Sequence, residues 1–273
     1  MKNVIYLTVP FLFLFLSCNK DDISLNDLES LPKDTGGVQK ANPLTTTDAV
    51  FGYYIYTPSN YENSTIEYPL LVFLHGSGER GNSQTSPDIL NKVLANGPPK
   101  LIERKEWSPK YPMIVASPQL ASGNWNADDI HSFITYLIAN YNINTNRIYI
   151  TGLSLGGFGC FSYISKYGSD AYAAAIVPIA GGGNTNSGDQ YTTIPVWAFH
   201  GDNDTTVSQN QSINMINAIN VANPITPAKL TIYPGVGHDS WSRTYNSSGM
   251  GEESSAYDAF NMTIYDWMFL YEK

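Results

Sequence analysis

The 273-residue sequence predicts an α/β protein, with a mostly parallel sheet and helices on both of its faces. Short apolar runs recur without polar alternation, as expected of strands covered on both sides. Helical periodicity appears between them. The runs end in Gly, His or Pro, so polar residues gather beyond the carboxyl ends of the strands, where ligands bind in such sheets.

Met1-Lys2-Asn3 precedes an apolar stretch over residues 4–16 and then Ser17-Cys18. One positive charge, a short apolar core and a small residue predict a secretory signal over residues 1–17, too short to span a bilayer well. Phe15-Leu16-Ser17-Cys18 resembles a bacterial lipobox, and Lys20-Asp21-Asp22 resembles the surface-export signal of some Gram-negative lipoproteins. Those resemblances imply lipidation of Cys18, a membrane anchor, and residence in the outer membrane and at the cell surface. Residues 18–47 are polar, with Gly36-Gly37 and Pro43 as breakers, and predict a flexible linker before a catalytic region over 48–273.

Strands follow in order. Phe51 to Tyr56 is an aromatic-rich run, and Leu70 to Leu74 ends in His75-Gly76. Met113 to Ala116 ends in Ser117-Pro118, and Arg147 to Thr151 ends in Gly152. Ala173 to Ile179 ends in three glycines, Val196 to Phe199 in His200-Gly201, and Leu230 to Tyr233 in Pro234-Gly235. Ile130, Phe133, Ile134, Leu137, Ile138 and Tyr141 recur at i, i+3, i+4, i+7, i+8 and i+11, predicting a helix with Asn126 as N-cap. Tyr257, Phe260, Ile264, Trp267 and Tyr271 form a similar stripe near the C-terminus.

Fifteen Lys and Arg against 24 Asp and Glu leave a net charge of −9, which argues against a nucleic-acid partner. The 13% aromatic and 14% charged content excludes a disordered chain. Of the two cysteines, Cys160 is expected to be a small buried apolar residue once Cys18 is lipidated. No Cys/His cluster indicates a metal site, and no cofactor is required.

Gly152-Leu153-Ser154-Leu155-Gly156 matches G-x-S-x-G where a strand gives way to a helix. Its physics is a sharp turn whose glycines let strand and helix approach, projecting the Ser154 oxygen at the rim. A hydroxyl needs a base, and the base a partner. In this architecture they follow in the order Ser, acid, His. His238 lies in the Gly-rich loop after the last strand, where an imidazole reaches the rim, whereas His200 ends a strand and is expected to shape a turn. Asp202 and Asp204 are both candidates for the acid. Asp202 opens the turn and suits an Asx-turn, which favours Asp204 as the partner that holds the imidazole tautomer. Asp239 adjoins His238 and points elsewhere.

Two backbone N–H donors must meet the oxyanion. Leu155 follows the nucleophile and supplies one. Ser77, in His75-Gly76-Ser77-Gly78-Glu79-Arg80-Gly81, supplies the other, with His75, Glu79 and Arg80 expected to brace that loop. Trp125 and Trp241 are candidate substrate-binding residues, because aromatic faces suit sugars or an aromatic acyl group.

Leu74-His75-Gly76-Ser77-Gly78-Glu79-Arg80-Gly81, the Gly-Leu-Ser-Leu-Gly turn, His200-Gly201-x-x-Asp204-x-x-Val207 and Gly237-His238-Asp239-Ser240-Trp241 resemble the small single-domain α/β-hydrolase esterases. These include the phospholipase/carboxylesterase, feruloyl-esterase-like and predicted-peptidase groups related to the prolyl oligopeptidase catalytic domain. The resemblance runs from Phe51 to the end. It implies the α/β-hydrolase fold, Ser154 as nucleophile, Asp204 as acid, His238 as base and Ser77 and Leu155 as oxyanion donors. The expected reaction is hydrolysis of a carboxylic ester, on small esters or acylated glycans, without cofactor. The gating propeller of prolyl oligopeptidases has no room here, which places peptidase action second. A non-catalytic glycan-binding lipoprotein is the rival of another class.

Overall fold

The computed structural model describes residues 26–59 and 61–273, so the expected signal over residues 1–17 and the lipidation site Cys18 lie outside the described residues. In chain order the main elements are α1 (Asn26–Glu29), β1 (Val38–Asn42), β2 (Gly52–Thr57), β3 (Tyr68–Leu74), α2 (Gly97–Glu103) and β4 (Ile114–Gln119). Then come α3 (Ala127–Asn140), β5 (Ile143–Leu153), α4 (Leu155–Tyr167), β6 (Ala175–Ile179) and β7 (Trp197–Gly201). The chain closes with α5 (Asn210–Val221), β8 (Lys229–Tyr233), α6 (Trp241–Tyr245) and α7 (Ile264–Phe269).

The eight strands form one sheet in the order β1-β2-β4-β3-β5-β6-β7-β8. β2 runs antiparallel to both β1 and β4, and the pairings from β4 through β3 to β8 are parallel. The unbroken apolar runs have the expected cause. Leu70, Val72 and Leu74 of β3 pack in one core with Phe133 and Leu137 of α3 and Ile164 of α4. Leu71 and Phe73 face the opposite core with Leu101 of α2, Tyr245 of α6 and Trp267 of α7. Alternate side chains of one strand therefore enter different apolar layers, and neither face tolerates polar alternation. α3 starts as its sequence predicts, with the Asn126 side chain accepting from Asp128 N–H at 2.7 Å.

Two expectations need correction. The linker expected over residues 18–47 is ordered structure from residue 26 onward. β1 pairs with β2 from Val38↔Thr57 to Asn42↔Tyr53. Asp27 makes a bidentate pair with the fully buried Arg147 (2.7 and 2.9 Å), which also holds Glu272 at 2.9 Å. Leu28 is buried beside this pair. An edge strand is held by its backbone and shows most side chains to water, so its composition mimics a linker. The C-terminal stripe is also shorter than its periodicity implies. Only Ile264–Phe269 is helical. Residues 254–258 instead bond to the outer edge of β8, through Ser254 N to Ile232 O, Asp258 N to Leu230 O and Leu230 N to Asp258 Oδ2, each at 2.8 Å. The free strand edge needed those partners, and Phe260 then packs on Trp197 and Phe199 from a loop.

Candidate active site

Ser154 sits between β5 and α4 with φ 52° and ψ −116°, a left-handed conformation that a side chain rarely adopts. Its N–H bonds to Ile179 O at 2.8 Å and its carbonyl accepts from Phe158 N at 3.1 Å, so both neighbouring elements hold the turn. Gly152 pairs with Leu74 and Pro178, which brings the loops after β3 and β6 to either side of the serine.

The structure brings the three residues of the expected order together. His238 Nε2 lies 2.9 Å from Ser154 Oγ, and His238 Nδ1 lies 2.7 Å from Asp204 Oδ2. The carboxylate fixes the proton on Nδ1, so Nε2 accepts the serine O–H. The imidazole keeps 23% exposure while the carboxylate side chain has none. Burial pushes the Asp204 carboxyl up, but donation from His238 and from the Val207 and Thr206 N–H groups outweighs it. The net position is below the usual carboxylate range.

The choice between the two aspartates becomes clear in three dimensions. Asp204, not Asp202, makes the Asx-turn, with Oδ1 accepting from Thr206 N (2.8 Å) and Val207 N (2.9 Å). That turn leaves Oδ2 for the imidazole. Asp202 Oδ1 instead accepts from Gly235 N at 2.6 Å, tying the β7 loop to the β8 loop. Asp239 caps α6 through Ser242 N and Oγ and does not face the ring.

Leu155 is the first residue of α4 and Ser77 the first of a single 3₁₀ turn, Ser77–Glu79. The N–H at such a position has no acceptor within its own helix. A Cβ built on Gly76 would lie 3.6 Å from Ser154 Cβ, so the Ser77 loop borders Ser154. His75 is fully buried and braces that loop. Its Nε2 accepts from Leu120 N at 2.9 Å, so Nδ1 carries the proton and donates to Gly76 O at 2.6 Å. Glu79 accepts from Asn96 Nδ2 at 2.5 Å, and Gln119 Nε2 holds the Glu79 carbonyl at 3.0 Å. The expected brace through the Arg80 side chain is not seen. Its Nε is buried without a hydrogen-bond partner among the described residues.

Burial pushes His75 down to about 4, against partial support from Gly76 O. The unfolded chain takes up this proton near pH 6.5 and the folded chain only near pH 4. Stability is therefore lost as pH falls through that window, by about 3 kcal/mol in total. Urea unfolding of wild type and His75→Gln between pH 7 and 4 checks it, and the variant is expected to show the shallower decline.

A cleft of about 630 Å³ opens beside Leu155 and runs along α4 past Phe158, Gly159, Ser162 and Lys166, with Asn124 and Asn184 on its walls. Trp125 edges this cleft, but it is 5% exposed and its Nε1 donates to His75 O at 3.0 Å. Most of the indole therefore braces the loop. Trp241 does not line the cleft. It meets the His238 ring edge-on at 5.0 Å and donates to Asn96 Oδ1 at 3.3 Å. Sequence reasoning missed the α4 residues. Positions 155, 158, 159, 162 and 166 share one helical face, and that spacing was the available signal.

A serine within hydrogen-bond reach of an imidazole that a buried carboxylate holds, at the rim of a mostly parallel α/β sheet, is the arrangement of the serine hydrolases of the α/β-hydrolase fold. The chain belongs to the dienelactone hydrolase family, whose model matches residues 33–269. It is 25% identical over 166 residues to the bifunctional acetylxylan esterase/xylanase XynS20E of Neocallimastix patriciarum, covering 58% of this chain and 22% of that protein. Among solved structures it is similar to a thermostable esterase, with TM-score 0.63 and 25% identity over 87% of this chain and 63% of the other. The feruloyl esterase module from Clostridium thermocellum, solved with sinapinate, shares the fold at TM-score 0.56 and 18% identity, over 90% of each chain. This chain thus spans less than two thirds of both the curated relative and the thermostable esterase.

Proposed function

We propose that this protein is a carboxylesterase that removes acyl groups from polysaccharides. The observation that carries the reading is the continuous contact from Ser154 Oγ to His238 and on to Asp204, at 2.9 and 2.7 Å. Ser154 Oγ attacks the ester carbonyl as its proton passes to His238 Nε2. The N–H groups of Ser77 and Leu155 receive the oxyanion. On collapse the alcohol leaves with the proton from His238. Water, deprotonated by the same imidazole, then cleaves the acyl-serine and releases the acid.

The substrate class rests on the cleft beside Leu155. It combines the Phe158 ring and the exposed edge of Trp125 with polar groups from Asn124, Ser162, Lys166 and Asn184. That mixture suits a sugar ring or a phenolic acyl group. Similarity to a protein with acetylxylan esterase activity points the same way. A lipid anchor on Cys18 would hold the enzyme at the outer membrane surface, where extracellular polysaccharide is reached.

Fluorophosphonate labelling, followed by a panel of acetylated xylan, feruloylated oligosaccharides, simple aryl esters and peptide anilides, tests the reading. Labelling at Ser154 and higher kcat/KM on acylated glycans are expected. Equal turnover of simple esters and glycans would remove the polysaccharide assignment, and preference for anilides would favour the peptidase. Recovery of the full-length protein in the soluble fraction of a Gram-negative host would remove the anchor.

A further inference from the structure

The histidine in β7 takes no part in the proton transfers above, yet it belongs to the same network. His200 is fully buried. Its Nε2 lies 2.9 Å from Val207 O and 3.2 Å from Asp204 Oδ2, so this nitrogen faces two acceptors and carries a proton. Its Nδ1 lies 2.8 Å from Ser212 Oγ on α5, and Ser212 Oγ lies 2.9 Å from Gly181 O. Gly181 follows β6 and packs on α4 so tightly that an added Cβ would stand 2.6 Å from the Gly157 carbonyl carbon. With the proton on Nε2, Nδ1 is an acceptor, so the single Ser212 O–H is shared between Nδ1 and Gly181 O. Through that hydroxyl the ring reaches from the Asp204 loop toward the helix behind Ser154.

We propose that His200 is a positioning residue for Asp204, holding its loop through Val207 and sharing Oδ2 with His238, so that the carboxylate is set between two imidazoles. This role presupposes the esterase reading above. It has a chemical consequence. The His200 Nε2–H dipole lies 3.2 Å from the oxygen that holds His238, so removing it is expected to change how Asp204 holds that second ring. Burial holds His200 below its ordinary value, which keeps it neutral while His238 takes and returns its proton. The ionisable groups facing the pair are Asp204 and the two rings themselves. On the adjoining loops, Asp202 is turned to Gly235 N–H and Asp239 to Ser242.

His200→Leu keeps the volume and removes the donor. It is expected to lower kcat about tenfold with KM nearly unchanged, and to move the acid limb of kcat/KM upward by about half a pH unit. In His200→Gln the amide N–H₂ reaches the same two acceptors, and the limb is expected to return toward wild type. A folded His200→Leu enzyme whose limb is unmoved or moves down overturns the role. If that variant does not fold, imidazole ¹⁵N–¹H spectra of the wild type decide. A proton on His200 Nε2 throughout the titration of His238 supports the role, and its absence there overturns it. Failure of the wild type to react with fluorophosphonate would instead sink the esterase reading, so the two failures are distinguishable.

Discussion

Ser154→Ala is expected to lower kcat on any ester substrate by three orders of magnitude or more, with little change in Tm. The acyl-enzyme cannot form without Oγ, and what remains is the modest catalysis supplied by binding and the oxyanion donors. The fold is not expected to suffer, because the hydroxyl's contact is with His238 and the backbone bonds to Ile179 and Phe158 are kept. Alanine inherits the same left-handed backbone, so the strain at this turn is common to both proteins. Steady-state hydrolysis of an aryl ester, with fluorophosphonate labelling in parallel, measures the effect. Residual activity within tenfold of wild type would mean that another group is the nucleophile.

Gly156→Ala is the largest expected effect on stability, about 3 kcal/mol or more. An added Cβ would stand 1.8 Å from Leu74 O and 2.5 Å from Leu74 C. Those atoms are backbone of β3, the strand that leads into the Ser77 loop, and they have no rotamer with which to yield. Either α4 lifts away from the sheet or β3 shifts, and both movements displace a candidate oxyanion donor. A fall in Tm of roughly 10 °C is expected, together with a loss of activity beyond what the unfolded fraction explains. Gly78→Ala is the control. Nothing lies within 4 Å of its added Cβ and its φ is not positive, so Tm is expected to stay unchanged. Equal behaviour of the two variants would refute close approach as the reason for glycine at 156.

Legibility in the sequence followed the range of the interaction. The β3, β5, β6, β7 and β8 runs were visible because burial on both faces writes an unbroken apolar signal into a few adjacent residues. β1 was not visible, because Val38–Asn42 is an edge strand with mostly exposed side chains that is held by pairing with β2. The role of Asp27 depends on Arg147, 120 residues away, and no local pattern announces such a pair. Phe260 carries the periodicity of a helix but belongs to a loop, because segment 254–258 first satisfies the edge of β8.

The order of Ser154, Asp204 and His238 along the chain, and the glycines around Ser154, were determined by the sequence alone. They express local sterics and the polarity of parallel strands, both written in neighbouring residues. Tertiary structure alone decided that Asp204 makes the Asx-turn while Asp202 crosses to Gly235. It also decided that His200 stands beside Asp204, that Trp125 serves the loop more than the cleft, and that residues 26–47 join the fold. Each of these turns on which distant group satisfies a buried donor, acceptor or charge, and that is settled only when the chain closes on itself.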